Sequence, residues 1–150
     1  MNNDQNKLLL KAIEIATAAH KNQADKNGEP YLGHLFRVMN MGRTTDEKIC
    51  GVLHDLVEDT DWTFEKLAQE GFPEKIITAL KCVTKISEEE NYDDFILRVQ
   101  ENKLAINVKI NDLTDNMDVR RFTVMTEKDL KRINKYLKAY RQLTEILIQP

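Results

Sequence analysis

Apolar residues return every three or four positions through nearly the whole chain, and this period constrains the fold more than any other feature. From Lys7 to about Gln23, Leu9, Ala12, Ile13, Ala16 and His20 fall on one helical face. Gly28-Glu29-Pro30 interrupts the pattern, and Pro30 is placed to open a second helix on which Tyr31, His34, Val38 and Met41 share a face until Gly42. A third helix is expected from about Asp46, turning Ile49, Val52, Leu53 and Leu56 inward and stopping at Thr60-Asp61. Its last turn and a half reads His54-Asp55-Leu56-Val57-Glu58-Asp59. Residues four apart stack on a helix, so His54 should lie beneath Glu58 and Asp55 beneath Asp59.

Further on, Thr63 can cap a short helix through Leu67 that Gly71 ends, and Pro73 starts another carrying Ile76, Ile77, Leu80 and Val83. Ser87-Glu88-Glu89-Glu90 reads as an exposed loop, Tyr92 to Val99 as a helix, and Thr126 as the cap of a long final helix. Between them, Leu104, Ile106, Val108 and Ile110 alternate as a strand would, while Ala105, Val108, Asp112 and Asn116 line a helical face. No second strand is available for pairing, so helix is the reading. With only 5 Gly and 3 Pro in 150 residues, the fold class is all-α, and residues 1–150 are expected to form a single domain with no length left for a second catalytic module.

A formal net charge of -3 provides no broad cationic surface for duplex nucleic acid, although a few local Lys and Arg could hold a small phosphorylated ligand. No apolar run approaches the roughly 20 residues of a membrane span, and the polar start Met1-Asn2-Asn3-Asp4-Gln5 is no signal peptide, so a cytoplasmic protein is expected. Cys50 and Cys82 sit singly within apolar helical patterns and read as buried thiols.

The chemistry concentrates in few residues. Asp55, Glu58 and Asp59 crowd three carboxylates at a helix C-terminus, whose partial negative charge worsens their repulsion, so a cation is expected there. His34 stands 20 residues before His54, and Asp112 stands 57 after Asp55, each on an apolar face. An ionised Asp buried without a partner costs several kcal/mol or shifts its pKa. A divalent metal held by His34, His54, Asp55 and Asp112 explains all of these positions, and mixed imidazole and carboxylate ligands suit Mn, Fe, Zn or Co.

The stretches Ala19-His20-Lys21-Asn22-Gln23, Gly28-Glu29-Pro30-Tyr31-Leu32-Gly33-His34, Leu53-His54-Asp55-Leu56-Val57-Glu58-Asp59-Thr60, Val83-Thr84-Lys85 and Lys109-Ile110-Asn111-Asp112 with Asn116-Met117 resemble, in order, the HD-domain superfamily. Within it the chain is most similar to small alarmone hydrolases of the RelA/SpoT hydrolase-domain and metazoan SpoT homologue type. The resemblance implies a helical HD bundle with Mn(II) on His34, His54, Asp55 and Asp112. It implies Glu58 and Asp59 as catalytic carboxylates, and Lys26, Tyr31, Lys85 and Asn116 at the nucleotide. His20 matches a histidine outside the metal's own ligands and is expected to be buried and hydrogen-bonded. Self-association is carried over from family habit alone.

The chain departs from the family at basic positions. Asp25 stands where an Arg against the guanine base is usual, and Leu113-Thr114-Asp115-Asn116-Met117-Asp118 replaces the usual Arg-Leu-His-Asn-Met-Arg. Arg37, Arg43, Arg120 and Arg121 are the candidates to compensate. Three functions follow: hydrolysis of the 3′-pyrophosphate of guanosine tetra- or pentaphosphate, the same chemistry on NADPH or a nucleoside phosphate, or non-catalytic nucleotide binding.

Overall fold

The structure, a computed structural model, describes residues 3–150; Met1 and Asn2 of the polar start lie outside them. Helix α1 spans Asn3–His20, α2 Leu32–Met41, α3 Thr45–Leu53 and α4 Leu56–Asp59. They are followed by α5 Phe64–Gln69, α6 Glu74–Val83, α7 Tyr92–Val99, α8 Lys103–Asn116, a 3-10 turn at Val119–Arg121 and α9 Glu127–Ile148. Side chains placed before the helices explain many starts. Thr44, Thr63, Asn91 and Asn102 accept from Glu47, Lys66, Asp93 and Ala105 backbone N–H groups, and Thr126 forms a reciprocal box with Asp129.

The chain is all-α: among the described residues β-pairing is limited to one isolated bridge, Ala24 to Pro30. The alternating segment after Leu104 is helix, because Asn102 caps it and Ala105, Val108 and Asp112 are buried along one face. Pro30 does not open α2. It is spent on the bridge, the Tyr31 amide returns to the Gln23 carbonyl at 2.9 Å, and the helix begins at Leu32. The first helix likewise ends at His20, short of Gln23, and Gly28 takes the positive φ of 79° that the turn demands.

The third helix departs most from expectation. It is not continuous to Asp59 but breaks at His54 and Asp55, where Asp55 adopts φ -103° and ψ 3°. In an unbroken helix the Gly51 carbonyl would accept from residue 55; here the His54 ring takes it, Nδ1 to O at 2.6 Å. The stacking of His54 under Glu58 and Asp55 under Asp59 therefore does not exist as expected.

Helix α3 is central and packs against α1, α2, α6 and α8. Ile49, Val52 and Leu53 join Leu35 of α2, Ile76 and Leu80 of α6 and Leu113 of α8 in the core. Each fully buried aliphatic side chain contributes about 1.5–3 kcal/mol. Gly51 lets α2 and α3 approach, since a Cβ there would meet the Met39 backbone at 3.2 Å. Core and site residues alternate, Leu53 before His54 and Leu113 after Asp112, so apolar packing fixes where the polar side chains emerge. Among the described residues no helix is long and apolar enough to cross a membrane.

Candidate metal centre

Two helices and the break deliver the ligands. His34 comes from the first turn of α2, His54 and Asp55 from the break, and Asp112 from α8. His34 Nε2 lies 3.4 Å from His54 Nε2, and Asp112 Oδ1 lies 3.1 and 3.3 Å from these two nitrogens. Asp55 Oδ2 is 3.1 Å from His54 Nε2 and 3.9 Å from His34 Nε2. Adjacent residues on a regular helix point to different sides. The break is what lets His54 and Asp55 aim at one place.

The rest of each ring decides what its Nε2 offers. His34 Nδ1 faces the Asp115 carboxylate at 2.6 Å and His54 Nδ1 faces the Gly51 carbonyl, both pure acceptors of a proton-bearing nitrogen. With the proton on Nδ1, both Nε2 atoms present lone pairs, and the third atom between them is a carboxylate oxygen. His34, His54 and Asp112 are all buried. Facing lone pairs need a cation between them, a proton or a metal ion, and donors about 2.1 Å from a shared ion stand about 3.0 to 3.4 Å apart. The residues present thus fit a divalent metal, with Asp55 at the edge of the group.

The same field is visible in the titrating groups. Burial works against a charge on His54, but Asp55 and Asp112 outweigh it and hold the imidazole well above its ordinary 6.5. Burial likewise opposes ionisation of Asp55, yet His54 and the Tyr31 hydroxyl, which donates to Asp55, hold that carboxyl down at about 2. Asp112 is secured on both oxygens: Lys109 Nζ donates to Oδ2 at 2.8 Å and Asn116 Nδ2 to Oδ1 at 2.9 Å.

Glu58 and Asp59 stand exposed on α4 beside the cluster. Partial burial raises both carboxyl pKa values, and the Asp55 charge adds to the effect. Glu58 Oε1 accepts the Lys85 backbone N–H at 3.0 Å, while Asp59 Oδ2 accepts from Gln23 Nε2 at 3.3 Å. His20, buried, bonds through Nδ1 to Gln23 Oε1 at 2.7 Å, so it supports Asp59 indirectly.

Two cavities open here. One of about 760 Å³ is lined by Lys26, Tyr31, His34, Asn116, Arg121 and Tyr136 among others. The other, about 700 Å³, is lined by Glu58, Asp59, Lys81, Thr84, Lys85 and Arg98 among others. Lys26, Tyr31 and Asn116 therefore share one cavity and Lys85 lines the second. Tyr31 and Asn116 also bond to Asp55 and Asp112, a role sequence reasoning missed.

It missed Asp115 and Lys109 as well, although each lies three residues from Asp112 on α8 and so within reach of its face. Of the expected compensating cations, Arg37 and Arg121 are held by Asp115 at 2.7 and 2.9 Å, and Arg120 by Asp118 at 2.6 Å.

A helical bundle that directs imidazole and carboxylate lone pairs from several helices to one buried point, beside open cavities, has the build of a divalent-metal domain. The chain belongs to the HD domain family, whose profile matches residues 12–141. It is 34% identical to a guanosine-3′,5′-bis(diphosphate) 3′-pyrophosphohydrolase of Aquifex aeolicus over 85% of this chain and 19% of that protein. It is 27% identical to a probable GTP pyrophosphokinase of Mycobacterium leprae over 93% of this chain and 19% of that protein. The chain thus spans about a fifth of the length of these curated relatives. A solved structure described as a metazoan ortholog of SpoT that hydrolyzes ppGpp shares the fold, with a TM-score of 0.70 and 20% identity over 95% of this chain and 94% of that one.

Proposed function

We propose that this chain is a divalent-metal-dependent phosphohydrolase that removes pyrophosphate from the 3′ position of guanosine 3′,5′-bis(diphosphate). The observation that carries the reading is the convergence of His34 Nε2, His54 Nε2 and Asp112 Oδ1, with Asp55 at their edge, beside the exposed pair Glu58 and Asp59. The named activity of the Aquifex aeolicus relative supports the choice of substrate. Imidazole with carboxylate suits a transition metal, and Mn(II) is our choice on the family resemblance. Held by His34, His54, Asp55 and Asp112, the cation would lower the pKa of water and supply positive charge to the phosphoryl group.

The chain's own residues do the rest. Glu58, oriented by the Lys85 amide, accepts the proton of the attacking water, whose oxygen joins the phosphorus. The bond from phosphorus to ribose O3′ breaks, O3′ takes a proton, and guanosine diphosphate and pyrophosphate are the products. Asp59, held by Gln23, is the group we assign to supply that proton to the leaving oxygen. Lys26 and Lys85, in separate cavities, supply positive charge to the two diphosphate groups of the substrate. We further propose that residues 1–150 act as one domain, in the cytoplasm.

One observation favours a second substrate class. Arg121, which lines the first cavity, is committed to Asp115 and Asp25, so that cavity is less cationic than the family pattern implies. NADPH or a nucleoside phosphate would suit it. The test is to strip the purified chain of metal, restore Mn(II), and incubate it with guanosine tetraphosphate, NADPH and nucleoside phosphates. Pyrophosphate from the first is expected. Phosphate from the others alone would move the chain to the second class, and no release from any would leave a binding module.

A further inference from the structure

Asp115 stands where the family usually has a histidine, and it is 2% exposed at the end of α8. Its carboxylate is saturated with donors. Oδ2 meets His34 Nδ1 at 2.6 Å, Arg121 at 2.9 Å and Arg37 NH2 at 3.2 Å, and Oδ1 takes the Arg37 Nε proton at 2.7 Å. Arg121 also reaches its own helix end, the Asp115 carbonyl, at 3.1 Å. From there the network runs outward to the other departure from the family pattern: Arg121 NH2 lies 3.4 Å from Asp25 Oδ2. Asp25 in turn organises the turn before α2, its Oδ1 accepting the amides of Asn27 at 2.9 Å and Glu29 at 3.0 Å, and Asn27 Nδ2 closes the ring on the Arg121 carbonyl at 2.7 Å.

We propose that Asp115 is a positioning residue for the metal centre: it holds the proton of His34 on Nδ1 and so turns the bare Nε2 towards the ion, while Arg37 and Arg121 clamp the carboxylate in place. The two unusual acids are then one device. An Asp at position 115 requires cations beside it, Arg37 and Arg121 supply them, and Asp25 pins Arg121 and with it the turn that borders the first cavity. Carboxylates that receive the outer N–H of a metal-ligating histidine fix its tautomer and orientation, and losing one typically weakens metal binding about 10- to 100-fold. Arg121 consequently acts as a strut and not as a phosphate clamp.

This inference rests on His34 being a ligand, so the test separates the two ideas. Mn(II) dissociation constants of the whole chain are measured by the electron paramagnetic resonance of free Mn(II), and the His34 tautomer by ¹⁵N imidazole spectra of the metal-free protein. His34→Ala is the control for the ligand itself and should lose at least as much affinity as any Asp115 variant. Asp115→Leu is expected to weaken Mn(II) about 10- to 100-fold and to release the His34 proton to Nε2. Asp115→Asn, which keeps an oxygen for Nδ1–H but turns an amide on the arginines, should fall between, and it decides the matter should the Leu variant not fold. Arg121→Gln should weaken Mn(II) roughly two- to tenfold without removing any atom near the ion. Folded Asp115 variants with wild-type affinity and an unchanged tautomer would overturn the proposal while leaving His34 a ligand. Wild-type affinity in His34→Ala would remove the ligand assignment itself.

Discussion

At the residue scale the reaction depends on groups with opposite demands. The metal ligands must be stripped of protons, whereas Glu58 must hold a proton only briefly. Glu58 is raised above its ordinary 4.5 by partial burial, with the Lys85 amide opposing and Asp55 and Asp59 reinforcing. A carboxylate accepts a proton only when ionised, so activity should fall as pH drops through the Glu58 pKa, which burial moves upward from its ordinary value. Glu58→Gln should leave Mn(II) affinity within about threefold, lower kcat by about 10²–10⁴, and flatten that acid limb; a pH–rate series on both proteins checks it. Lys109 makes a different demand. Its ammonium is the partner of the second Asp112 oxygen, and the two side chains are 12% and 6% exposed. Lys109→Met leaves a buried carboxylate short of its cation and should cost about 3–5 kcal/mol in urea unfolding of the metal-free protein.

At the element scale the decisive feature is the break between α3 and α4. Helix positions were legible because apolar residues repeat at the helical period and because Thr63, Thr126 and Pro73 mark starts with side chains that declare their role. The positions that converge, His34, His54 and Asp112 with Asp55 at their edge, were legible too, His34 and Asp112 as polar residues on apolar faces. The break was not, because nothing in His54-Asp55 forbids a helix; it arises when the imidazole competes for the Gly51 carbonyl, a choice made by tertiary packing. Asp115 escaped notice for a related reason, since its value lies in His34 and Arg121, which are distant in sequence. Gly51 has a consequence of the same kind. A methyl group there would press on the Met39 backbone and part α2 from α3, which carry His34 and lead into His54. Gly51→Ala should destabilise the chain by about 1–3 kcal/mol and weaken Mn(II) binding, seen by chemical denaturation and metal titration.

At the scale of the whole molecule, an ion held by His34, His54, Asp55 and Asp112 would tie α2, the break and α8 into one unit, so metal and fold should be linked. At about 100 times its Kd a ligand of the native state adds about 2.7 kcal/mol. For a chain of 150 residues this raises Tm by roughly 5 to 10 °C, and a chelator should reverse it. Failure of Tm to respond would mean that the cluster is held by its own ion pairs and protons. The two cavities border His34 on one side and Glu58 and Asp59 on the other without opening the core formed by Leu35, Leu53, Leu80 and Leu113. The most direct measurement is anomalous diffraction at the manganese edge from crystals of the chain grown with Mn(II). One peak bonded to the Nε2 atoms of His34 and His54 and to the carboxylates of Asp55 and Asp112 is expected. A peak elsewhere, or none while those side chains keep their places, would contradict the account.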